Sequence, residues 1–166
     1  MNPSLSKSVA IVGVAESDLG KVPGKSALEL QAQAAMRALA DAGLKLSDVD
    51  GVFAHTDDRF SSLQVSEFLG LRPRFVDSTN VGGMSNLLHV QRAMAAIAAG
   101  MCEVALITYG STQLSDGSRK GGAVAADVPH TPRGQFILPY GHLSPIGYYA
   151  MVAQLHMHRY GTTHKD

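Results

Sequence analysis

Residues 79–90 read TNVGGMSNLLHV. The stretch RFVDS (74–78) leads in with strand character, and an alanine-rich helical pattern leads out as far as Gly100. A glycine pair on a strand-to-helix turn is a place where enzymes set a nucleophile or bind an anion. The first N–H groups of a helix lack intrahelical partners, and the helix dipole favours negative charge there. This turn carries no cysteine; its only hydroxyls are Ser78, Thr79 and Ser85. It is not GxGxxG, because Asn86 stands where the third glycine belongs, and it is not GxxxxGK[ST], so the residues make no nucleotide-binding fingerprint.

Moving outward, residues 84–99 repeat with helical spacing. Leu87, Val90 or Gln91, Met94, Ile97 and Ala98 mark one face, and Gly100 supplies the stop. EVALITYGS (103–111) follows as a strand. Upstream, SSLQVSEFLGL reads as a short helix ending near Gly70, and DVDGVFAH (48–55) as a short strand. A helix is expected over about 27–42. Ser26 and Glu29 have capping-box spacing, Leu28, Ala32, Ala35, Leu39 and Ala42 recur on one face, and Gly43 ends it. The β-branched run VAIVGVA (8–14) reads as a buried parallel strand. Strands alternating with helices predict an α/β domain with a mainly parallel sheet covered on both faces.

After Tyr109 the chain becomes rich in glycine and proline. The expected organisation is an α/β core over 1–110, a long loop insertion over 111–147, and a helix over 148–166 returning to the core. That last helix begins near Ile146 and runs to Tyr160. Thr162 or Thr163 has the form of a helix N-cap with no helix after it, so the sequence is expected to be a piece of a longer protein.

Bulk composition narrows the function classes. The chain has 166 residues, of which 45% are hydrophobic and 17% charged, enough for a folded core. Fourteen basic and fourteen acidic side chains cancel, which argues against a nucleic-acid or anionic-membrane footprint. No apolar run approaches the roughly 18 residues of a membrane span. A single cysteine, with no signal-peptide pattern, suits a reducing compartment, so the expected location is cytoplasmic.

Individual residues are read against their structural alternatives. Cys102 follows a helix C-terminus and precedes a strand, which favours a core role over nucleophilic chemistry. Among seven histidines, His156 and His158 are two apart and leave a helix in different directions; His130 and His142 lie in the loop without a carboxylate cluster. No metal site is expected. His89 reads as a packing residue of the alanine-rich helix. Tyr140, Tyr148 and Tyr149 flank GHLSPIG and could line a pocket or pack the loop. Asp77, Asp116 and Asp127 form no paired-carboxylate pattern, and Arg119 and Lys120 read as solvated loop residues.

The order of segments carries a resemblance. VAIVGVAESDLG, the helix ending ALADAGL, the D-V-D-G-V strand, TNVGGMSNLLHVQRAMAAIAAGMCEVALITYGS and the closing SPIGYYAMVAQLHMHRYGTTHKD together resemble the N-terminal half of the thiolase superfamily. The closing segment is similar to the sterol-carrier and lipid-transfer branch. The resemblance implies a thiolase-like fold and a coenzyme A thioester as substrate, with no cofactor bound covalently. It also implies a homodimer, and for some relatives a small OB-fold, zinc-containing partner subunit. Thiolases carry their acyl-accepting cysteine at the helix-opening turn, and the equivalent position here falls on Gly83, within about one residue. Glycine cannot hold an acyl group. The thiolase-like steroid side-chain aldolases also lack that cysteine and cleave a carbon–carbon bond by retro-aldol chemistry. The resemblance therefore favours retro-aldol cleavage of a β-hydroxyacyl-CoA. Acetyl-CoA C-acyltransferase activity is the first alternative and a non-catalytic binding or scaffold subunit the second. Gly82, Gly83, Met84, Tyr140 and Tyr148 are the expected substrate-binding positions, and the acid–base residues are expected beyond residue 166.

Overall fold

The computed structural model describes residues 7–55, 60–116, 130–140 and 145–165. The chain divides into two compact units, residues 1–115 and 116–166.

The first unit is built on three parallel strands, β1 (Gly51–Ala54), β2 (Phe75–Asp77) and β3 (Ala105–Thr108), in the order β2-β1-β3. Val52 pairs with Val76 on one side and with Leu106 on the other. Helices cover both faces, and the alternation along β1 shows how. Val52 and Ala54 pack with Ala35 and Leu39 of helix α1 (Ala27–Ala42) and Val65 of α2 (Ser61–Leu69). Phe53 points the other way, into Ala93 and Ala96 of α3 (Ser85–Ala98) and Cys102. All three β1 residues are buried, as expected of a central parallel strand.

Local signals placed the ends of these elements well. The Ser26 hydroxyl accepts from the Glu29 N–H while the Glu29 carboxylate accepts from the Ser26 N–H, completing the capping box. Gly43 and Gly70 close their helices in the left-handed conformation, and Gly100 follows α3 in the same conformation. Cys102 is buried, and burial first, then the Asp50 charge, pushes its thiol up, which suits a core residue rather than a nucleophile.

Two expectations are corrected. Residues 8–14 form no strand. Ile11, Val12 and Val14 are exposed, and the segment runs as extended chain along α1. Helix side chains hold it and the residues just after it: the Val14 N–H donates to Asp41, and Arg37 donates to the Glu16 carbonyl. The approach is so close at Gly13 that a Cβ there would lie 2.2 Å from the Ala38 carbonyl oxygen. β-branched residues favour extended backbone, but a strand also needs a neighbour to complete its ladder, and among the described residues this segment has none. Second, the buried face of α3 is Ser85, His89, Ala93 and Ala96, while Leu87 and Val90 are exposed. Small side chains let the helix lie close to the sheet and leave Leu87 and Val90 on the outer side, while Ile97, on the expected face, packs against the core.

The expected loop over 111–147 contains short helical turns in its described parts: α4 (Gln113–Asp116), α5 (Pro132–Phe136) and a 3-10 turn (Leu138–Tyr140). In the second unit the last helix, α6, spans Pro145–Tyr160, near the expected bounds. His156 Nδ1 and Thr162 Oγ1 are within hydrogen-bond distance at 2.9 Å, which holds the turn after α6. Arg119, Lys120, Asp127 and His142 lie outside the described residues.

Ile11, Val12, Val14, Val81, Met84 and Leu87 of the first unit are exposed, and exposed apolar side chains favour association where they gather into a patch. A polypeptide of residues 1–166 alone is expected to self-associate, measured as a concentration-dependent mass in light scattering. A monodisperse monomer across the concentration range would contradict this.

Candidate active site

The C-terminal ends of parallel strands are where α/β sheets place ligands. Here those ends carry His55 after β1, Ser78 to Gly83 after β2, and Tyr109 to Ser111 after β3.

The β2–α3 turn is held by its own polar groups. The Asp77 carboxylate accepts from the Thr79 N–H at 2.7 Å and the Thr79 hydroxyl at 2.6 Å, and its other oxygen pairs with Arg92 Nη1 at 2.7 Å. Burial pushes the Asp77 carboxyl up, but hydrogen bonds from Thr79 and Arg92 outweigh it and leave the group below the usual carboxylate range. The Asn80 side chain accepts from the Gly82 N–H. Ser85 closes the turn, accepting from the Val81 N–H and donating to the Gly82 carbonyl. On the α2 side, the Ser62 and Ser78 hydroxyls are hydrogen-bonded to each other.

The two glycines differ. Gly82 sits at φ +72°, in the left-handed region where a side chain is strained. Gly83 does not lie in that region, and a Cβ added there meets nothing within 4 Å. The backbone therefore does not require glycine at 83, and a thiol would fit. Met84, also a predicted site residue, is exposed beside it.

Tyr140 and Tyr148 belong to the second unit, where Tyr140 is strongly exposed. The cleft beside the turn is formed by the first unit. It has a volume of about 490 Å³ and is lined by Leu19, Val22, Leu30 and Ala34 on its apolar side and by Asn86, Tyr109 and Ser111 near the strand ends. Asp18, at its edge, is held well below the usual carboxylate range by hydrogen bonds from Lys25, Gln33 and Arg37. Both Asp18 and Asp77 are thus poor proton acceptors.

Beneath the strand ends lies a group of rings that the sequence did not mark as a site. His55 stacks on Tyr109 with centroids 4.8 Å apart and 21° between planes. His89 meets His55 edge to face at 5.7 Å and Phe53 at 6.1 Å. His89 is fully buried, and neither ring nitrogen makes a hydrogen bond of normal length and angle among the described residues. Burial lowers its pKa; the Asp77 charge and the Thr79 backbone oppose this only in part, so the ring is held toward its neutral form. The expectation that His89 packs the helix agrees with its burial. The signal for His55 and Tyr109 was their position, each the first residue after an apolar strand. Among the described residues no group of three His, Cys, Asp or Glu is placed to hold a metal, and no helix is long and apolar enough to cross a membrane.

No protein-family model matches the chain. Curated relatives do. A steroid side-chain-cleaving aldolase of Thermomonospora curvata is 33% identical over 164 residues, covering 96% of this chain and 42% of the relative. A 17-hydroxy-3-oxo-4-pregnene-20-carboxyl-CoA lyase of Mycobacterium tuberculosis is 33% identical over 167 residues, covering 98% of this chain and 43% of the relative. Among solved structures, one named Ltp2-ChsH2(DUF35) aldolase superposes with a TM-score of 0.74 at 33% identity, covering 93% of this chain and 39% of that one. The chain thus spans about two-fifths of the length of the curated relatives it matches. Its parallel three-stranded sheet between helices matches the fold of that aldolase structure, and in sequence the chain is similar to a steroid side-chain-cleaving aldolase and a pregnene-carboxyl-CoA lyase.

Proposed function

We propose that the native protein carrying this chain cleaves a carbon–carbon bond in a β-hydroxyacyl-CoA thioester by retro-aldol chemistry. The observation that carries this reading is Gly83. It occupies the helix-opening turn at the sheet's C-terminal edge, has room for a side chain, and offers no nucleophile. A retro-aldol needs none. A base removes the β-hydroxyl proton, and the Cα–Cβ electron pair moves onto the α-carbon as a thioester enolate. The β-carbon leaves as a ketone or aldehyde, and the enolate then takes up a proton. The chemistry asks for an acid–base pair and for hydrogen bonds to the enolate oxygen. The Ser85 N–H of α3 is taken by the Gly82 carbonyl, and the first-turn N–H groups that follow it suit the second task.

The similarity to a steroid side-chain-cleaving aldolase and a pregnene-carboxyl-CoA lyase supports the same reaction class and a steroid-like acyl group. The name of the similar solved structure joins the aldolase to a DUF35 component, which supports a partner subunit here. The proposal extends to an OB-fold, zinc-containing partner and a homodimer, and places the acid–base groups outside residues 1–166.

Intact-mass measurement of the protein during turnover tests the non-covalent route. The native protein is expected to keep its free mass, and Gly83→Cys to gain an adduct of the acyl group's mass. An acyl adduct on the unaltered protein would contradict the reading.

A further inference from the structure

The ring column beneath the cleft is not used by the retro-aldol scheme. Phe53, His89, His55 and Tyr109 run in succession from the core to the cleft wall, with centroid separations of 6.1, 5.7 and 4.8 Å. The outermost ring, Tyr109, is 45% exposed and lines the cleft beside Asn86 and Gly110. The cleft lining mixes apolar side chains, Leu19, Val22, Leu30 and Ala34, with polar ones, among them Ser17, Asn86 and Ser111. A phenol there adds a polar handle on an aromatic face, the arrangement by which pockets fix the orientation of a ligand.

The inner end of the column is as informative. His89 is 0% exposed, yet neither nitrogen makes a hydrogen bond of normal length and angle among the described residues. An apolar side chain of similar volume would avoid the desolvation that such a buried imidazole incurs. Aromatic rings have preferred edge-to-face and offset-stacked geometries, so each ring restricts the plane of the next. His89 thereby restricts His55, and His55 restricts Tyr109.

We propose that Tyr109 is a substrate-contacting residue, its hydroxyl donating to an oxygen on the acyl group in the cleft, with His89 as a positioning residue that acts on Tyr109 through His55. This rests on the acyl-CoA reading above and adds the part of the ligand that the first unit recognises. The partner chemistry is a carbonyl or hydroxyl oxygen on an otherwise apolar acyl group.

The test is calorimetric titration of the native protein with a non-cleavable thioether analogue of a fused-ring β-hydroxyacyl-CoA, with CoA alone as the second probe. Tyr109→Phe keeps the stack and removes one hydroxyl. It is expected to weaken the analogue by about three- to tenfold, the usual range for one hydrogen bond, with an unchanged unfolding midpoint and unchanged affinity for CoA alone. His89→Leu is expected to weaken the analogue by about two- to threefold while the unfolding midpoint stays level or rises. Equal affinity of Tyr109→Phe and the native protein would overturn the contact. A His89→Leu protein with shifted stability and native affinity would overturn the positioning role. Absence of analogue binding by the native protein would overturn the acyl-CoA reading and this inference together.

Discussion

Phe53→Ala is expected to destabilise the protein by about 3–5 kcal/mol, the usual cost of deleting a fully buried aromatic ring. Phe53 has no exposure and lies on the central strand. Its ring touches Phe75 with centroids 5.6 Å apart and packs against Ala93 and Ala96 of α3. It is also the floor on which His89 rests. Alanine would leave a cavity between sheet and helix that the short side chains of α3 cannot fill. The loss reads directly as a lower midpoint in denaturant at unchanged slope. A change below about 1 kcal/mol would mean that α3 does not sit against the sheet as described.

Asp77→Ala is expected to cost about 2–3 kcal/mol, since charge-assisted hydrogen bonds are the strong ones and Thr79 and Arg92 would both lose their acceptor. The same carboxylate gives an acid signature. Its folded pKa lies below the ordinary 3.8, so its stabilisation is complete above that value and is lost as pH falls through the folded pKa. A denaturation series in acid should therefore show a limb below about pH 3.8 that is shallower in Asp77→Asn, where Asp18 and Glu29 still contribute. An identical acid limb in both proteins would remove Asp77 as the anchor of the turn.

What the sequence disclosed follows from the range of the forces involved. Helix ends were legible because caps act within three or four residues: the Ser26–Glu29 box, Gly43, Gly70 and Gly100 all stand where expected. Strands β1, β2 and β3 were legible as short apolar runs between turn residues. The 8–14 run was misread because its composition fixes an extended backbone, whereas ladder partners come from elsewhere in the chain. The buried face of α3 was misread because alanine and serine can face a sheet as well as leucine can, and periodicity weighs only size and polarity. The turn at Gly82 and Gly83 was found from sequence. The stacked rings of His55 and Tyr109 were not, since they are 54 residues apart in sequence and meet only through the pairing of β1 with β3.

The central claim is carbon–carbon cleavage without an acyl-enzyme. It is tested most directly by incubating the native protein, alone and with the proposed partner subunit, with a steroid-type β-hydroxyacyl-CoA and identifying the products by mass. The account predicts a ketone or aldehyde together with a shortened acyl-CoA in equal amounts, formed without added free coenzyme A. Cleavage that depends on added coenzyme A, giving two acyl-CoA products, would be thiolysis and would contradict it.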